Sequence, residues 1–532
     1  MAFHGNNQIG FERSARGSER FRVTAPATGE LLPGEFAVAT EEELQAAASR
    51  ADEAFRRWPR DSRRTADLLE RIAANIDDLG DALVERCSAE TALPSGRIKL
   101  ERGRTTGQLR MFAALVREGS WVDARIDRAD PRRRPVPKPD VRRMLVPLGP
   151  AAVFPASNFP LAFSTAGGDT ASALAAGCPV IVKARPSHAG TSELVGDAIV
   201  SALAELGFPD GWFSQLHGPG RSLGLRLVEH PAVKAVGFTG SLSGGRALMA
   251  AAAARSEPIP VYAEMGSVNP VFLLPESLRQ NAESIAEGYH QSLTLGVGQF
   301  CTNPGLVFGV RGPAWERFTA KLAELVRGTP PGSMLLPAIY RDYEEGVARW
   351  RNDRRMACLA EAAAAADPSR LEARAAVFTL PVEAFLADSA FQSEVFGHAA
   401  LLVECDRVEQ MLAAAESLHG QLTATIHAAP GELEAAGPLW SILQRKAGRV
   451  LVGGFPTGVE VCAAMHHGGP YPAGSDAHFT SVGTAAILRF ARPVCYQNVP
   501  QALLPPELHD GNPLGIWRLV DNQWTRDAIA PT

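Results

Sequence analysis

The chain is predicted to be an α/β protein built on a parallel sheet, and three observations predict it. From Gly149 onward, short β-rich runs at 151–154, 179–183, 212–216, 233–238 and 260–264 are separated by alanine-rich stretches with helical spacing, the pattern of successive βαβ units. At 532 residues the chain exceeds one compact core and suits two or three domains. With 46% hydrophobic and 21% charged residues it has a globular composition, neither disordered nor fibrous.

Before that region come helices. Thr40 followed by Glu43 makes a capping box, and Leu44, Ala47, Ala48, Ala51, Phe55 and Trp58 then recur at helical spacing. A second helix places Leu68, Leu69, Ile72, Ile76, Leu79, Leu83 and Cys87 on one face, with Cys87 a small buried hydrophobe. Residues 121–147 change to short, charged, proline-rich stretches, an extended excursion or hairpin suited to subunit contact. A second mixed region spans 264–462. The run 480–489 reads as β, followed by an irregular proline-rich tail, and no repeat of 20–50 residues is visible.

Charge and cysteine usage exclude several classes. A net charge of −5 supplies no basic field for nucleic acid, and the cluster Arg132 to Arg134 with Lys138, Arg142 and Arg143 reads as a solvated extended segment. Seven scattered cysteines without a CxxC pair indicate neither a zinc knuckle nor a disulfide framework, so a cytoplasmic setting is expected. The first twenty residues lack the apolar core of a secretory signal. The most apolar stretch, 171–182, is broken by Gly177 and Pro179, so no membrane span is expected.

Ligands of parallel sheets bind beyond the carboxyl ends of the strands, so the residues there matter most. Cys301 lies in Gly296-Val-Gly-Gln-Phe-Cys-Thr-Asn-Pro-Gly305, where flanking glycines leave room for a substrate to approach a thiolate nucleophile. Asn158, just past the 151–154 run, has an amide that can donate to a developing oxyanion. Glu264, ending the 260–264 run before a glycine turn, is a candidate general base. Taken singly, each has an ordinary alternative: an inert buried thiol, turn chemistry, or a surface carboxylate.

Taken together, Asn158, Glu264 and Cys301 in this order, with Gly237-Phe-Thr-Gly-Ser241 and Glu394-Val-Phe-Gly397, closely resemble the aldehyde dehydrogenase superfamily over about residues 21–500. The resemblance implies a Rossmann-like cofactor domain (1–120 and 149–263), an α/β catalytic domain (264–479), a small β oligomerisation arm (121–148 and 480–500) and a C-terminal tail (501–532). The stretch 157–172 and His467-Gly-Gly-Pro-Tyr-Pro472 resemble the branch that oxidises α-ketoglutarate semialdehyde (2,5-dioxopentanoate) and its NADP-dependent aliphatic relatives. Pro155, where this branch usually has glycine, His398, where it has proline, and the extra histidine in Met465-His-His467 depart from that pattern.

The resemblance implies that Cys301 thiolate attacks the aldehyde and that the oxyanion rests on the Asn158 amide and the Cys301 N–H. Hydride then leaves for the nicotinamide, and Glu264 activates the water that hydrolyses the thioester, with no metal needed. It assigns Lys183 to the adenosine ribose and the Gly218-Pro-Gly220 turn, with Gly224, to the adenine. Gly240 and Ser241 fall to the pyrophosphate, Glu394 to the nicotinamide ribose, and Phe396 to the ring. NADP is expected over NAD, although NAD remains possible. Pro186 stands where NAD-preferring relatives carry a glutamate, and Arg221, less so Arg185, can take a 2′-phosphate. Phe159 and Phe163 either line the aldehyde tunnel or belong to the core. His467 either helps move a proton or makes a structural hydrogen bond to the adjacent glycine loop. The expected reaction is 2,5-dioxopentanoate to 2-oxoglutarate in a homodimer or homotetramer. Medium- or long-chain aliphatic aldehydes are the alternative substrates, and a thioesterase-like hydrolase or an inactive binding protein on the same fold the alternative functions.

Overall fold

The computed structural model describes residues 3–58 and 60–530. The capping box forms as expected: Thr40 Oγ1 accepts from the Glu43 N–H, and the Glu43 carboxylate accepts from the Thr40 N–H, opening the helix Glu41–Arg57. The single second helix expected beyond it is two, Ser62–Asp78 and Gly80–Thr91, because Gly80 adopts φ +56° and breaks the helical path. A further long helix, Ser95–Glu118, packs against Ser62–Asp78.

All five β-rich runs become strands of one sheet: Ala151–Phe154, Val180–Lys183, Phe213–Leu216, Ala235–Thr239 and Val261–Glu264. The chain enters at Ala151–Phe154 and builds outward through Val180–Lys183 and Phe213–Leu216. It then returns to the other side of the first strand with Ala235–Thr239 and Val261–Glu264, all parallel. The order therefore reverses between Ala151–Phe154 and Ala235–Thr239, which opens a crevice above their carboxyl ends. Two short antiparallel strands, Asn7–Ile9 and Glu12–Ser14, complete the far edge. A second seven-stranded sheet runs from Val271–Leu273 to Ala447–Val452, parallel except for its edge strand Ala357–Glu361.

The arm differs from its sequence reading at two points. Residues 480–489 are not a strand: Gly483 turns at φ +90° and Thr484–Phe490 forms 3₁₀ helix. Ala486, Ile487 and Phe490 are buried with the first sheet's helices, and Arg489 donates to Asp169 at 2.7 Å in a buried ion pair, so this segment belongs to the first core. The arm strand begins only at Ala491–Gln497, which pairs with Val141–Pro147 and through it with Arg125–Asp127. The tail is not irregular either. Arg518–Val520 and Gln523–Thr525 extend the same sheet to five strands through a hairpin at Asp521 and Asn522, both with positive φ. Arg518, fully buried, donates to the carbonyls of His509, Asp510 and Asp527 and holds the tail in place. A groove of about 610 Å³ runs beneath the arm, bordered by Trp121, Val146, Tyr496 and Ile516. Among the described residues no helix is long and apolar enough to cross a membrane.

Candidate active site

The helix Pro275–Thr294 ends in three successive left-handed residues, Gly296 (φ +58°), Val297 (+61°) and Gly298 (+69°), that throw the chain toward the crevice. A β-branched residue in that region is strained, so Val297 is held there by its surroundings. Gly298 cannot be replaced without displacement, because a Cβ on it would lie 2.3 Å from the Gly397 carbonyl carbon. Asn269 Nδ2 donates to the carbonyls of Cys301 and Asn303 at 2.8 and 2.9 Å, and Asn303 Nδ2 to that of Gly397 at 2.9 Å. The loop bearing Cys301 is thus fastened to the segment bearing Glu394 and Phe396.

Three side chains meet at the crevice. His467 Nε2 lies 3.4 Å from Cys301 Sγ and 3.0 Å from Glu264 Oε1, and Ser481 Oγ donates to Glu264 Oε2. The His467 ring is fully buried and its backbone N–H donates to Thr480 Oγ1 at 2.7 Å. The expectation that a structural bond to the glycine loop defines His467 is therefore corrected: its ring joins the carboxylate to the thiol. Burial pushes the Glu264 carboxyl upward, but the His467 charge and the hydrogen bonds from His467, Ser481 and Cys301 outweigh it and leave it lowered. Burial, then the Glu264 charge, pushes the Cys301 thiol well up. The donor atoms of Glu264, Cys301 and His467 lie within 4.8 Å of one another, close enough to share a metal ion, though their mutual contacts engage those atoms without one.

Asn158 follows the strand Ala151–Phe154 and donates from Nδ2 to the Gln299 carbonyl at 3.0 Å, beside the cysteine loop. Its own loop is organised from the helix Ser95–Glu118: Glu101 Oε1 accepts from the N–H groups of Leu161 and Ala162 at 2.9 and 3.0 Å. Phe159 and Phe163 are buried, meet edge-on at 5.3 Å between centroids, and cluster with Phe300, Val459, Val461 and Met465. Phe159 also meets Phe300, the residue before Cys301, edge-on at 5.4 Å, which places the cluster beside the cysteine loop. Sequence reading missed Arg97 and Arg104, whose guanidinium groups lie over these rings.

On the crevice side is a cavity of about 250 Å³, bordered by Asn158, Glu264, Cys301, Thr239, Gly240, Ser241, Arg185, Glu394 and Phe396. Burial, then Arg185, lowers Lys183 to about 8. Neither its amine nor the Arg185 guanidinium has a carboxylate or other hydrogen-bond acceptor among the described residues. Such unpaired cations, Lys183 buried and Arg185 half-buried, fit an anionic cofactor. Glu394 is pushed up to about 8 by burial, and its carboxyl lies where a Cβ on Gly266 would come within 2.5 Å, so glycine there makes room for it. Gly240 borders this cavity with its N–H donating to the Glu264 carbonyl at 3.1 Å. Ser241 caps the helix Leu242–Ala253 through Gly244, leaving the N–H groups of Leu242 and Ser243 as the free donors of the first turn. Gly220 turns at φ +86°, and the exposed Arg221 precedes the helix Ser222–Glu229.

A sequence profile described as "Aldehyde dehydrogenase family" matches residues 13–469. "Alpha-ketoglutaric semialdehyde dehydrogenase 2" of Azospirillum brasilense is 50% identical over 98% of this chain and 100% of its own length. "Alpha-ketoglutaric semialdehyde dehydrogenase" of Acinetobacter baylyi is 47% identical over 92% and 93%. Among solved structures, the NAD+ complex of an aldehyde dehydrogenase from Bacillus cereus superposes with a TM-score of 0.79 at 20% identity, covering 92% of this chain and 96% of that one. With the fold and the crevice in agreement, the chain belongs to the aldehyde dehydrogenase family of oxidoreductases that act on aldehydes.

Proposed function

We propose that this protein oxidises 2,5-dioxopentanoate to 2-oxoglutarate, using NADP in preference to NAD, with Cys301 as nucleophile. The observation that carries the reading is the hydrogen-bonded group Cys301–His467–Glu264 at the edge of a cavity bordered by the unpaired Arg185. The names of two relatives aligned over nearly their whole length support the substrate.

In the resting site the thiol keeps its proton and must release it to solvent through the cavity before sulfur attacks the aldehyde carbon, while His467 Nε2, already donating to Glu264, stands 3.4 Å away to stabilise the thiolate. The resulting oxyanion rests on the Asn158 amide, which has one hydrogen beyond its bond to Gln299, and on the Cys301 N–H, which has no acceptor among the described residues. NADP, when bound, supplies the hydride acceptor. Lys183, Arg185 and Arg221 would hold its phosphorylated ribose, Leu242 and Ser243 its pyrophosphate, and Glu394 and Phe396 its nicotinamide end. Once a thioester stands on Cys301, Glu264 takes a proton from water, oriented by Ser481 and His467.

One set of rates tests substrate and cofactor together. The kcat/KM for 2,5-dioxopentanoate should exceed that for hexanal, and NADP should exceed NAD by about 10- to 100-fold, the effect of one or two charge-assisted hydrogen bonds. Arg221→Ala should erase most of the cofactor ratio. An unchanged ratio removes Arg221 from the phosphate site, and a wild type favouring NAD overturns that subsite altogether. The reading also includes a cytoplasmic homodimer or homotetramer joined through the arm, whose edge strand leaves backbone groups open to pairing. A monomer in light scattering, or recovery outside the cytoplasm on fractionation, contradicts this.

A further inference from the structure

Three guanidinium groups, of Arg97, Arg104 and Arg449, lie over the aromatic cluster beside the cysteine loop or within electrostatic reach of Cys301, and two are occupied. Arg449 Nη1 and Nη2 donate to the carbonyls of Gly458 and Pro456 at 3.1 and 2.6 Å. Arg97 Nη2 donates to the Asn158 carbonyl at 3.3 Å, and its Nε faces Glu101 Oε2 at 3.5 Å. Arg104 differs. Its Nε and Nη2 are buried with no hydrogen-bond partner, and no carboxylate among the described residues lies within ion-pair distance of it. A buried guanidinium carries five donors and no acceptor, and native interiors rarely leave such donors unmet.

The position of Arg104 gives the vacancy a direction. Its guanidinium lies 5.2 Å from the Phe163 ring centroid and 5.6 Å from that of Phe159, so the aromatic faces hold it in place while its edge stays free. Phe163 in turn is 6.4 Å from the His467 ring, and Phe159 is 5.4 Å and edge-on to Phe300, the residue before Cys301. Arg104 is within electrostatic reach of Cys301 and Glu264. An extended aldehyde with its carbonyl carbon at Cys301 Sγ and its chain along these rings would carry a terminal anion toward Arg104.

We infer that Arg104 is the specificity-determining residue that binds the distal carboxylate of an ω-oxo acid through a two-pronged guanidinium–carboxylate pair. This rests on the substrate class proposed above and assigns the recognition of that class to one side chain. Arg97, stacked on Phe159 and Phe300 at 4.7 and 4.6 Å and tied to Asn158, is a positioning residue for the loop and not the anchor.

The test compares wild type, Arg104→Gln and Arg104→Lys on 2,5-dioxopentanoate and hexanal. Arg104→Gln should lower kcat/KM for 2,5-dioxopentanoate by about 100-fold, chiefly through KM, and that for hexanal far less, with Arg104→Lys between. Equal losses on both aldehydes, or a ratio that survives Arg104→Gln, overturn the inference. A wild type that prefers hexanal overturns the substrate reading itself, so the two failures are separable. A loss on both aldehydes joined to a shifted pH profile of Cys301 alkylation would make Arg104 a thiolate partner, and that also overturns it. If Arg104→Gln does not fold, glutarate inhibition of hexanal oxidation in wild type and Arg104→Lys carries the test. Weaker inhibition of the lysine variant supports the inference, and equal inhibition overturns it.

Discussion

Cys301→Ala is expected to lower aldehyde oxidation by about 10⁴-fold or more, to the limit of a 340 nm assay, while the protein stays folded. The removed sulfur is small and borders a cavity, so its loss leaves no large void in a packed core. The six other thiols offer no substitute. Cys87, Cys178 and Cys405 are enclosed in the hydrophobic cores, and Cys358 and Cys495 lie on the surface. Cys462, partly buried, is outside the hydrogen-bonded chain. Peptide mass spectrometry of wild-type enzyme quenched during turnover should find the acyl group on Cys301. An acyl group on any other cysteine would sink the assignment.

Glu264→Gln should lower steady-state turnover by about 10²- to 10⁴-fold while retaining a pre-steady-state burst of reduced cofactor. Thioester hydrolysis needs the carboxylate to take a proton from water, whereas attack by sulfur needs only that the thiol has ionised. The substitution also changes the electrostatics in a known direction. After burial, the Glu264 charge is the largest influence raising the Cys301 thiol, so the neutral amide should let the thiol lose its proton at lower pH. Iodoacetamide labelling against pH reads this directly: the Cys301 profile moves to lower pH in Glu264→Gln. A profile that moves up, together with lost cofactor binding, would mean that Glu264 serves structure instead.

Much of the first domain was legible because each strand is a short apolar run ending next to a helical pattern. The five strands fall within two residues of their expected bounds, with Glu264 ending its strand and Asn158 and Ser241 just beyond theirs, as strand-end chemistry requires. What sequence left hidden depends on distant partners. His467 finds Cys301 across 166 residues and Glu264 across 203, and no local pattern records such pairings. The helix Ser95–Glu118 lacks a clear apolar stripe because it buries Glu101, Thr105, Thr106 and Gln108. That polarity serves the Asn158 loop and kept Arg104 out of view. The tail strands carry Arg518 inward, so they did not read as β, although Asp-Asn at 521–522 is a hairpin turn in its own right.

The proton kept on Cys301 also bears on chemical damage. Peroxide oxidises thiolates and hardly touches thiols, and the first product, a sulfenic acid, leads on to states that do not return to thiol. A sulfur that stays protonated while idle, enclosed except toward one cavity, is a slow target even though it is the most valuable one. The surface thiols Cys358 and Cys495 meet an oxidant first, and neither touches the crevice. At a given oxidant level, activity should therefore be lost more slowly than Cys358 and Cys495 are modified.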